Sequence, residues 1–331
     1  MILDVLMNIL APILLMVGLG VWMRRTFSID LGTLSKLNIY LFTPAFIFEK
    51  VSGSTLSWVE MGGVVTITIV QALTLGIFVW IIGKAMKVSR KTLAAVAMAV
   101  MFYNSGNYGL PLAELAYPKQ TAHDGGAVQA FVVMTQNVLT FTIGLSIAAY
   151  AHAGDVWQSV WKILRMPVLY TLTAAILGRL WLQSDPSHQF PVFLSKTVSY
   201  LSYALIPIAL VTLGAQLASN PRWPRWRPVT FVIVLRLIVG PLQMAALLYG
   251  FHLLNIPALD LWGNDRWPAE LLILTAAVPT AINTLLLTLE LGGDADLSAD
   301  CVFWTTVFSG VSITVWLVIL RAWGGQNVTI W

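Results

Sequence analysis

Charged residues are scarce in this chain, and their scarcity decides its broad class. Aspartate, glutamate, lysine and arginine make up 10% of the 331 residues, against roughly one quarter in typical soluble domains. Hydrophobic residues make up 58%. A chain with so few charges cannot present a polar surface to water on all sides. The composition therefore predicts an integral membrane protein that lies in the lipid bilayer.

Side chains that carry enzymatic or redox chemistry are few as well. Cys301 is the single cysteine, so a disulfide within the chain is excluded. The histidines lack the HExxH spacing of zinc hydrolases, and no GxxxxGK sequence followed by serine or threonine is present to bind ATP phosphates. The four histidines lie near the ends of apolar runs, at His123, His152, His188 and His252. These absences argue against an enzyme or an ATP-driven pump, and we predict no cofactor.

Long apolar runs are what the chain has instead. About 20 helical residues cross roughly 30 Å of hydrocarbon. By this measure the fold class is an all-α polytopic membrane protein with ten transmembrane helices. The predicted spans are residues 2–23, 31–51, 58–86, 92–117, 125–151, 160–182, 192–218, 229–251, 268–290 and 297–322.

Basic residues recur in alternate connections between these spans. They lie at Arg24, Arg25, Lys84, Lys87, Arg90, Lys91, Lys162, Arg165, Arg222, Arg225 and Arg227. The positive-inside rule makes that side cytoplasmic, so ten spans would place both termini outside the cell membrane. An acidic stretch with Glu290, Asp294, Asp296 and Asp300 falls on the same side and is the exception. Because the basic residues form no continuous face, nucleic acid is not a predicted partner.

The two halves of the chain share a pattern. Tyr40 stands four residues before Pro44, and Tyr203 stands four residues before Pro207. The second pair lies 163 residues after the first, close to one half of the chain. This spacing predicts two five-helix repeats, residues 1–155 and 156–331. Because five is an odd number, the second repeat would be inverted in the membrane, as in many secondary transporters.

Two predicted spans are interrupted near their middles by glycine, proline and asparagine. Span four reads NSGNYGLPL from Asn104, and span nine reads AAVPTAINT from Ala276. Unpaired backbone groups are costly in lipid, so a broken helix at this depth must face protein or a watery cavity. The sequence therefore predicts that helices four and nine are discontinuous and cross near the bilayer centre. The alternative is that the two prolines only kink continuous helices.

Broken helices expose the N-termini of their second halves. Free N–H groups and the positive end of the helix dipole attract anions such as carboxylates. The predicted substrate-binding residues are Asn104, Asn107, Tyr108, Pro111, Pro279, Thr280 and Asn283, together with Gln136 and Asn137 of span five. Phe102 and Tyr103, beside Tyr108, are further candidates for contact with the apolar part of a substrate. Polar residues of span five have an alternative role as hydrogen-bonding links between helices.

Two charged residues inside the spans need an explanation. Arg236 in span eight has three interpretations: attraction of an anionic substrate, pairing with a carboxylate that changes protonation, or a side chain that extends to the membrane surface. Glu114, three residues after Pro111, has three as well. It is a proton-coupling group, a partner of a nearby basic residue, or a group that reaches the outer interface.

Five segments together resemble the auxin efflux carrier family, which includes plant auxin exporters and bacterial malonate or malate permeases. They are LNIYLFTPAF from Leu37, NSGNYGLPLAELAY from Asn104, IPIALVTLGAQLASNP from Ile206, RLIVGPLQMA from Arg236 and AAVPTAINTLLL from Ala276. None is specific alone, but all five occur in the family's order and cover both halves. The long cytoplasmic loop of many plant members is absent.

The resemblance implies a ten-helix fold similar to sodium/proton antiporters and bile-acid transporters. Helices 1, 2, 6 and 7 would form a scaffold, with a homodimer through helices 2 and 7. Helices 3–5 and 8–10 would form a transport unit that moves like an elevator. By this resemblance Asn104, Pro111, Pro279 and Asn283 are the substrate positions.

The expected function is secondary transport of a small organic anion, most simply a carboxylate. Span five has no aspartate or glutamate, unlike the sodium/proton antiporters that the fold resembles, which disfavours cation exchange. A proton- or Na⁺-coupled dicarboxylate uptake permease is the alternative, and an anion channel is less favoured. Substrate identity, direction and coupling ion stay open.

Overall fold

A computed structural model describes residue 7 and residues 11–117, 124–151, 167–218, 223–262, 266–290 and 293–323. Within these residues the structure is helical, and the β-type pairing it contains is one isolated bridge. The predicted repeat boundary at residues 155 and 156 lies outside the described residues. So do the first residues of the predicted spans 2–23 and 160–182, and Lys162, Arg165, Arg222, His123 and His152.

The helices follow one another with short connections. In chain order they are α1 (Ala11–Thr26), α2 (Leu31–Leu37), α3 (Thr43–Ser52), α4 (Trp58–Ala85), α5 (Arg90–Met101), α6 (Leu110–Ala116), α7 (Gly125–Leu139), α8 (Leu145–Ala151), α9 (Pro167–Ser184), α10 (Val192–Leu217), α11 (Trp226–Val234), α12 (Gly240–Leu253), α13 (Trp267–Ala276), α14 (Ile282–Glu290) and α15 (Ala295–Trp323). Three π-helical turns, at Asn38–Phe42, Thr140–Gly144 and Leu235–Val239, join neighbouring helices into longer rods. A fourth, at Ser105–Gly109, leads only into α6, because residues 102–104 before it are not helical.

Five rods are long and apolar enough to cross a membrane, judged by length and composition. They are Trp58–Ala85, Gly125–Ala148, Val192–Leu217, Trp226–Leu253 and Ala295–Trp323. This agrees with an all-helical polytopic membrane protein. The predicted spans 92–117 and 268–290 are not continuous helices, because each is interrupted.

Proline accounts for three of the four π-helical turns. Pro44, Pro111 and Pro241 each follow such a turn by two residues. A proline ring clashes with the carbonyl four residues earlier, which favours a locally wider turn over the regular α-helical bond. In two cases the bond at the end of the turn spans five residues, from Thr43 N–H to Asn38 and from Gly240 N–H to Leu235.

Helices α1, α3, α9 and α10 pack against one another as one group. The closest approach within it is between α1 and α10. A Cβ atom at Gly20 would collide with the backbone of Val211, and one at Gly214 with the backbone of Val17. Small residues allow such close contact between helices in a membrane. The remaining helices, apart from α2, which packs on α10, surround α5, α7 and α13, in which most residues are buried.

Candidate functional site

The two interrupted helices meet at their breaks. Helix α5 ends at Met101 and α13 ends at Ala276. The unwound segments that follow run antiparallel, with Tyr103 opposite Thr280. Asn104 N–H donates to the Pro279 carbonyl at 2.8 Å, and the Ala281 N–H donates to the carbonyl of residue 102 at 3.0 Å. Each unwound segment therefore satisfies backbone groups that the break in the other helix leaves open.

Thr280 completes this crossing with two further hydrogen bonds. Its backbone N–H donates to Thr305 Oγ1 at 3.1 Å, and its own hydroxyl donates to the Ala99 carbonyl at 2.8 Å. The residue is fully buried. Unpaired backbone groups are costly away from water. These bonds therefore stabilise a non-helical crossing in the protein interior.

Gln129 of α7 links both broken helices from one side. Its Nε2 donates to the Ser105 carbonyl at 2.9 Å, and its Oε1 accepts from Thr275 Oγ1 at 2.8 Å. Ser105 follows the first break and Thr275 precedes the second. The buried amide therefore fixes the two segments relative to α7.

Arg236 lies behind the crossing and caps both half-helices that lead into it. Its Nη1 donates to the Val100 carbonyl at 2.7 Å, and its Nη2 donates to the Ala276 carbonyl. The guanidinium also lies 4.6 Å from the centre of the Tyr103 ring. Helix C-termini carry partial negative charge and four free carbonyls, so a cation is favourable here.

These contacts decide among the three interpretations of Arg236. The side chain is completely buried, so a position at the membrane surface is wrong. Its hydrogen bonds go to main-chain carbonyls, and it forms no ion pair with any carboxylate in the described residues. Arg236 also does not line the cavity that lies on the opposite side of the crossing. Its geometry is that of a positioning residue for the crossing.

On the opposite side of the crossing, the second half-helices begin with open N–H groups. Gly106 and Asn107, in the turn after the first break, have no hydrogen-bond acceptor for their amides in the described part of the chain. The same is true of Ile282 and Asn283 at the start of α14. These four amides are the unsatisfied donors expected at helix N-termini.

A cavity of about 210 Å³ lies against these N-termini. All four residues with open amides line it. The remaining described lining residues are Ile39, Tyr40, Thr43, Tyr103, Asn104, Ser105, Val133, Gln136, Asn137, Thr140, Phe141, Ala281 and Leu286. The lining is mixed, polar at the breaks and apolar around them, and these residues include no charged side chain.

Several polar atoms at this cavity are buried and have no hydrogen-bond partner among the residues that the structure describes. They are Asn104 Nδ2, both amide atoms of Gln136 and the Tyr103 hydroxyl. The Gln136 amide is a close neighbour of the Tyr103 hydroxyl, but the two do not have hydrogen-bond geometry. An unsatisfied buried polar group costs about 1–3 kcal/mol. Such groups around an open space indicate that a polar ligand or water completes their hydrogen bonds.

The cavity brings together five of the predicted binding residues, namely Asn104, Asn107, Gln136, Asn137 and Asn283. It does not include the other four. Tyr108 packs in the apolar core, and Pro111 is buried in the first turn of α6. Pro279 and Thr280 face the crossing through backbone and hydroxyl bonds. These four residues shape the break and do not line the space beside it.

Other lining residues were not predicted as binding residues. Tyr40 lies in the turn between α2 and α3, Thr43 is the first residue of α3, and Thr140 and Phe141 lie in the turn after α7. Tyr40 marked the repeat pattern, but nothing in the sequence alone places that helix against the breaks.

Glu114 forms an ion pair with Lys50 of α3. The Lys50 Nζ lies 2.5 Å from Glu114 Oε1, and the two side chains are 13% and 22% exposed. Of the three interpretations of Glu114, pairing with a basic residue is the one with a contact in the structure. In the described ranges, no group of three or more His, Cys, Asp or Glu side chains could hold a metal ion.

Comparison with known proteins finds similar sequences among membrane transporters. The sequence model of the family described as "Membrane transport protein" matches residues 5–159 and 155–317. An "Uncharacterized transporter" of Methanothermobacter thermautotrophicus is 27% identical over 302 residues, covering 88% of this chain and 89% of the relative. A similar protein of Methanocaldococcus jannaschii is 25% identical over 87% of this chain and 89% of its own length. A "Putative malonate transporter" of Rhizobium meliloti is 23% identical over 88% of each chain.

Proposed function

The chain belongs to the membrane transport protein family, which confirms its resemblance to auxin efflux carriers, and from this premise we propose that it is a secondary transporter of a small organic anion. The cavity at the helix breaks is the proposed substrate site. The substrate class is a small carboxylate, held by the open amides of Gly106, Asn107, Ile282 and Asn283.

One observation carries the choice of an anion. The two half-helices begin at the same cavity, and the residues that carry their free N–H groups line it without a basic side chain among the described lining residues. Paired helix N-termini attract negative charge through their donors and dipoles. The side-chain amides of Asn104, Asn283 and Gln136 add donors that suit carboxylate oxygens.

The size and lining of the cavity support a small substrate. About 210 Å³ accommodates a molecule of a few carbon atoms. The apolar surfaces of Ile39, Val133 and Leu286 would face its carbon chain. A malonate-type dicarboxylate uptake permease is the second candidate, because one relative carries the name of a malonate transporter.

We also propose how the helices are arranged into repeats and moving parts. We place ten helices in two inverted repeats, a scaffold of helices 1, 2, 6 and 7, and a transport unit that moves past it like an elevator. In this numbering by predicted span, α1, α3, α9 and α10 belong to helices 1, 2, 6 and 7. Their packing as one group supports this division. We also propose a homodimer through helices 2 and 7, which the mass of the protein–detergent complex would test.

Orientation in the cell membrane is proposed with both termini outside. Its support is that Met86, Thr92 and Arg227 line one groove, so the basic connections after spans three and seven lie at the same end. Cysteine variants at His188 and Lys87 test it in intact cells. An impermeant thiol reagent should label the first and not the second, and the reverse pattern would invert the proposed orientation.

Transport is tested in proteoliposomes with radiolabelled malonate and a set of monocarboxylates. We expect saturable uptake and counterflow, in which unlabelled substrate inside the vesicles accelerates entry of label. Imposed proton and Na⁺ gradients then identify a coupling ion. Flux that rises linearly with concentration and shows no counterflow would favour an anion channel. No flux of any carboxylate would refute the substrate class.

A further inference from the structure

A second open space lies at the basic end of the molecule, away from the helix breaks. It is a groove of about 370 Å³ between the end of α4, the start of α5 and the start of α11. Its walls are almost wholly apolar, and they run from Val79 and Val96 to Met86 and Arg227. Val79 to Met86 covers about 10 Å of helix. A groove of this shape suits one acyl chain.

Arg227 is the charged residue among the described residues that line this groove. It is exposed and forms no ion pair with any residue that the structure describes. Its neighbour Arg225 differs, because both of its Nη atoms donate to the Asp294 carboxylate at 2.9 and 2.5 Å. One arginine at this end is therefore neutralised by protein, and the other is available to an external anion.

Tryptophan side chains mark the depth of this end in the bilayer. Trp226, next to Arg227, lies 4.9 Å from Trp304, and Trp223 lies 5.9 Å from Trp226 by ring centres. Trp223 is 86% exposed. Tryptophan is enriched at the level of lipid headgroups. The mouth of the groove, where Arg227 lies, is therefore at the level at which a phospholipid carries its phosphate.

We propose that this groove binds an anionic phospholipid, with one acyl chain along α4, α5 and α11 and the phosphate on Arg227. Lys87 and Lys91, which flank the lining residues Val88 and Thr92 in sequence, add positive charge around the same headgroup. Basic residues beside a membrane surface favour anionic lipids by attraction. The lipid would hold the α4–α5 connection against α11. This inference does not depend on the transported substrate.

The test is native mass spectrometry of the purified full chain with phosphatidylglycerol or phosphatidylcholine of identical acyl chains. The wild type should retain phosphatidylglycerol in preference to phosphatidylcholine. Arg227→Gln should weaken phosphatidylglycerol binding about fivefold, because one basic residue near the surface contributes about that factor. Arg25→Gln removes an exposed charge elsewhere and should leave binding unchanged.

A second pair of variants tests the acyl-chain groove. Ile82→Trp fills the groove from a partly exposed position, whereas Ile81→Trp adds the same ring at a neighbouring position that is not part of the groove lining. Ile82→Trp should lose the retained phosphatidylglycerol and Ile81→Trp should keep it. Equal binding of the two lipids by the wild type, equal loss in both arginine variants, or full binding by Ile82→Trp would each overturn the proposal.

Discussion

Arg236 Nη1 donates a 2.7 Å hydrogen bond to the main-chain carbonyl of Val100, which belongs to a helix more than 130 residues earlier in the chain. The other Nη of the same guanidinium donates to Ala276. One buried side chain thus holds the ends of α5 and α13, the two half-helices that lead into the crossing. The N-termini on the far side of the crossing are left for the cavity.

Arg236→Met should destabilise the protein and abolish transport. The change removes two hydrogen bonds from a charged donor, each worth about 1.5–3 kcal/mol, and leaves two helix ends without a cation. Arg236→Lys should fall between Met and the wild type, since an ammonium keeps the charge but not the planar pair of donors. Thermal unfolding in detergent measures both. A wild-type melting temperature for Arg236→Met would contradict the capping role.

Asn104→Ala and Asn283→Ala should each reduce carboxylate transport with little loss of stability. Both side chains line the cavity, and each would lose a hydrogen bond to a charged substrate. About 1.5 kcal/mol or more per bond predicts at least a tenfold weaker apparent affinity. Gln243→Ala is the matched control, because Gln243 is partly buried, donates to Thr74 and does not line the cavity. Normal uptake by both asparagine variants would remove the cavity from the transport path.

The Lys50–Glu114 pair should show strong coupling in a double-mutant cycle. Lys50→Met leaves a largely buried carboxylate without its cation, and Glu114→Gln leaves the ammonium without its anion. Each single change should cost about 1 kcal/mol or more, and the double variant should cost less than the sum, since no uncompensated charge remains. Lys36→Met, at an exposed site, serves as the control. Additive effects would show that the two charges act independently.

Acid should weaken the contact between Arg225 and Asp294. Burial raises the pKa of Asp294, but the hydrogen bond from Arg225 and that from the Leu297 N–H outweigh it, so the pKa lies below its ordinary value of 3.8. Because the pKa of Asp294 is lower in the folded protein than in the unfolded protein, its ionised carboxylate stabilises the fold. This contribution is complete above the unfolded pKa and is lost as the pH falls through the folded pKa.

The stability difference between wild type and Asp294→Asn should therefore be constant above about pH 5 and shrink below about pH 4. Melting temperatures across this range measure it. Arg225→Gln should show the same convergence with the wild type at low pH. A difference that grows as the pH falls would have the wrong sign for this contact.

Much of the site was readable from the sequence because glycine, proline and asparagine act on the chain locally. The strings NSGNYG and AAVPTAINT broke the helical pattern where the structure unwinds both helices. The prolines were less informative about which residues line the cavity. The first break begins at residue 102, well before Pro111, so the cavity forms around Asn104 and Asn107, and Pro111 lies in the helix that follows.

The role of Arg236 could not be predicted in the same way. Its acceptors are the carbonyls of Val100 and Ala276, and these are free only because two distant helices end beside each other. No spacing within span eight carries that information. Glu114 illustrates the same limit, because Lys50 lies 64 residues away in the sequence and meets it only through the packing of both α3 and α6 against α7.

Equilibrium binding of malonate and monocarboxylates to the purified protein, by isothermal titration, tests the central claim most directly. The account predicts saturable binding of at least one small carboxylate to the wild type, with affinity lost in the Asn104→Ala/Asn283→Ala double variant and kept in Gln243→Ala. Binding of the same carboxylate that is undiminished in the double variant would contradict a site at the helix breaks.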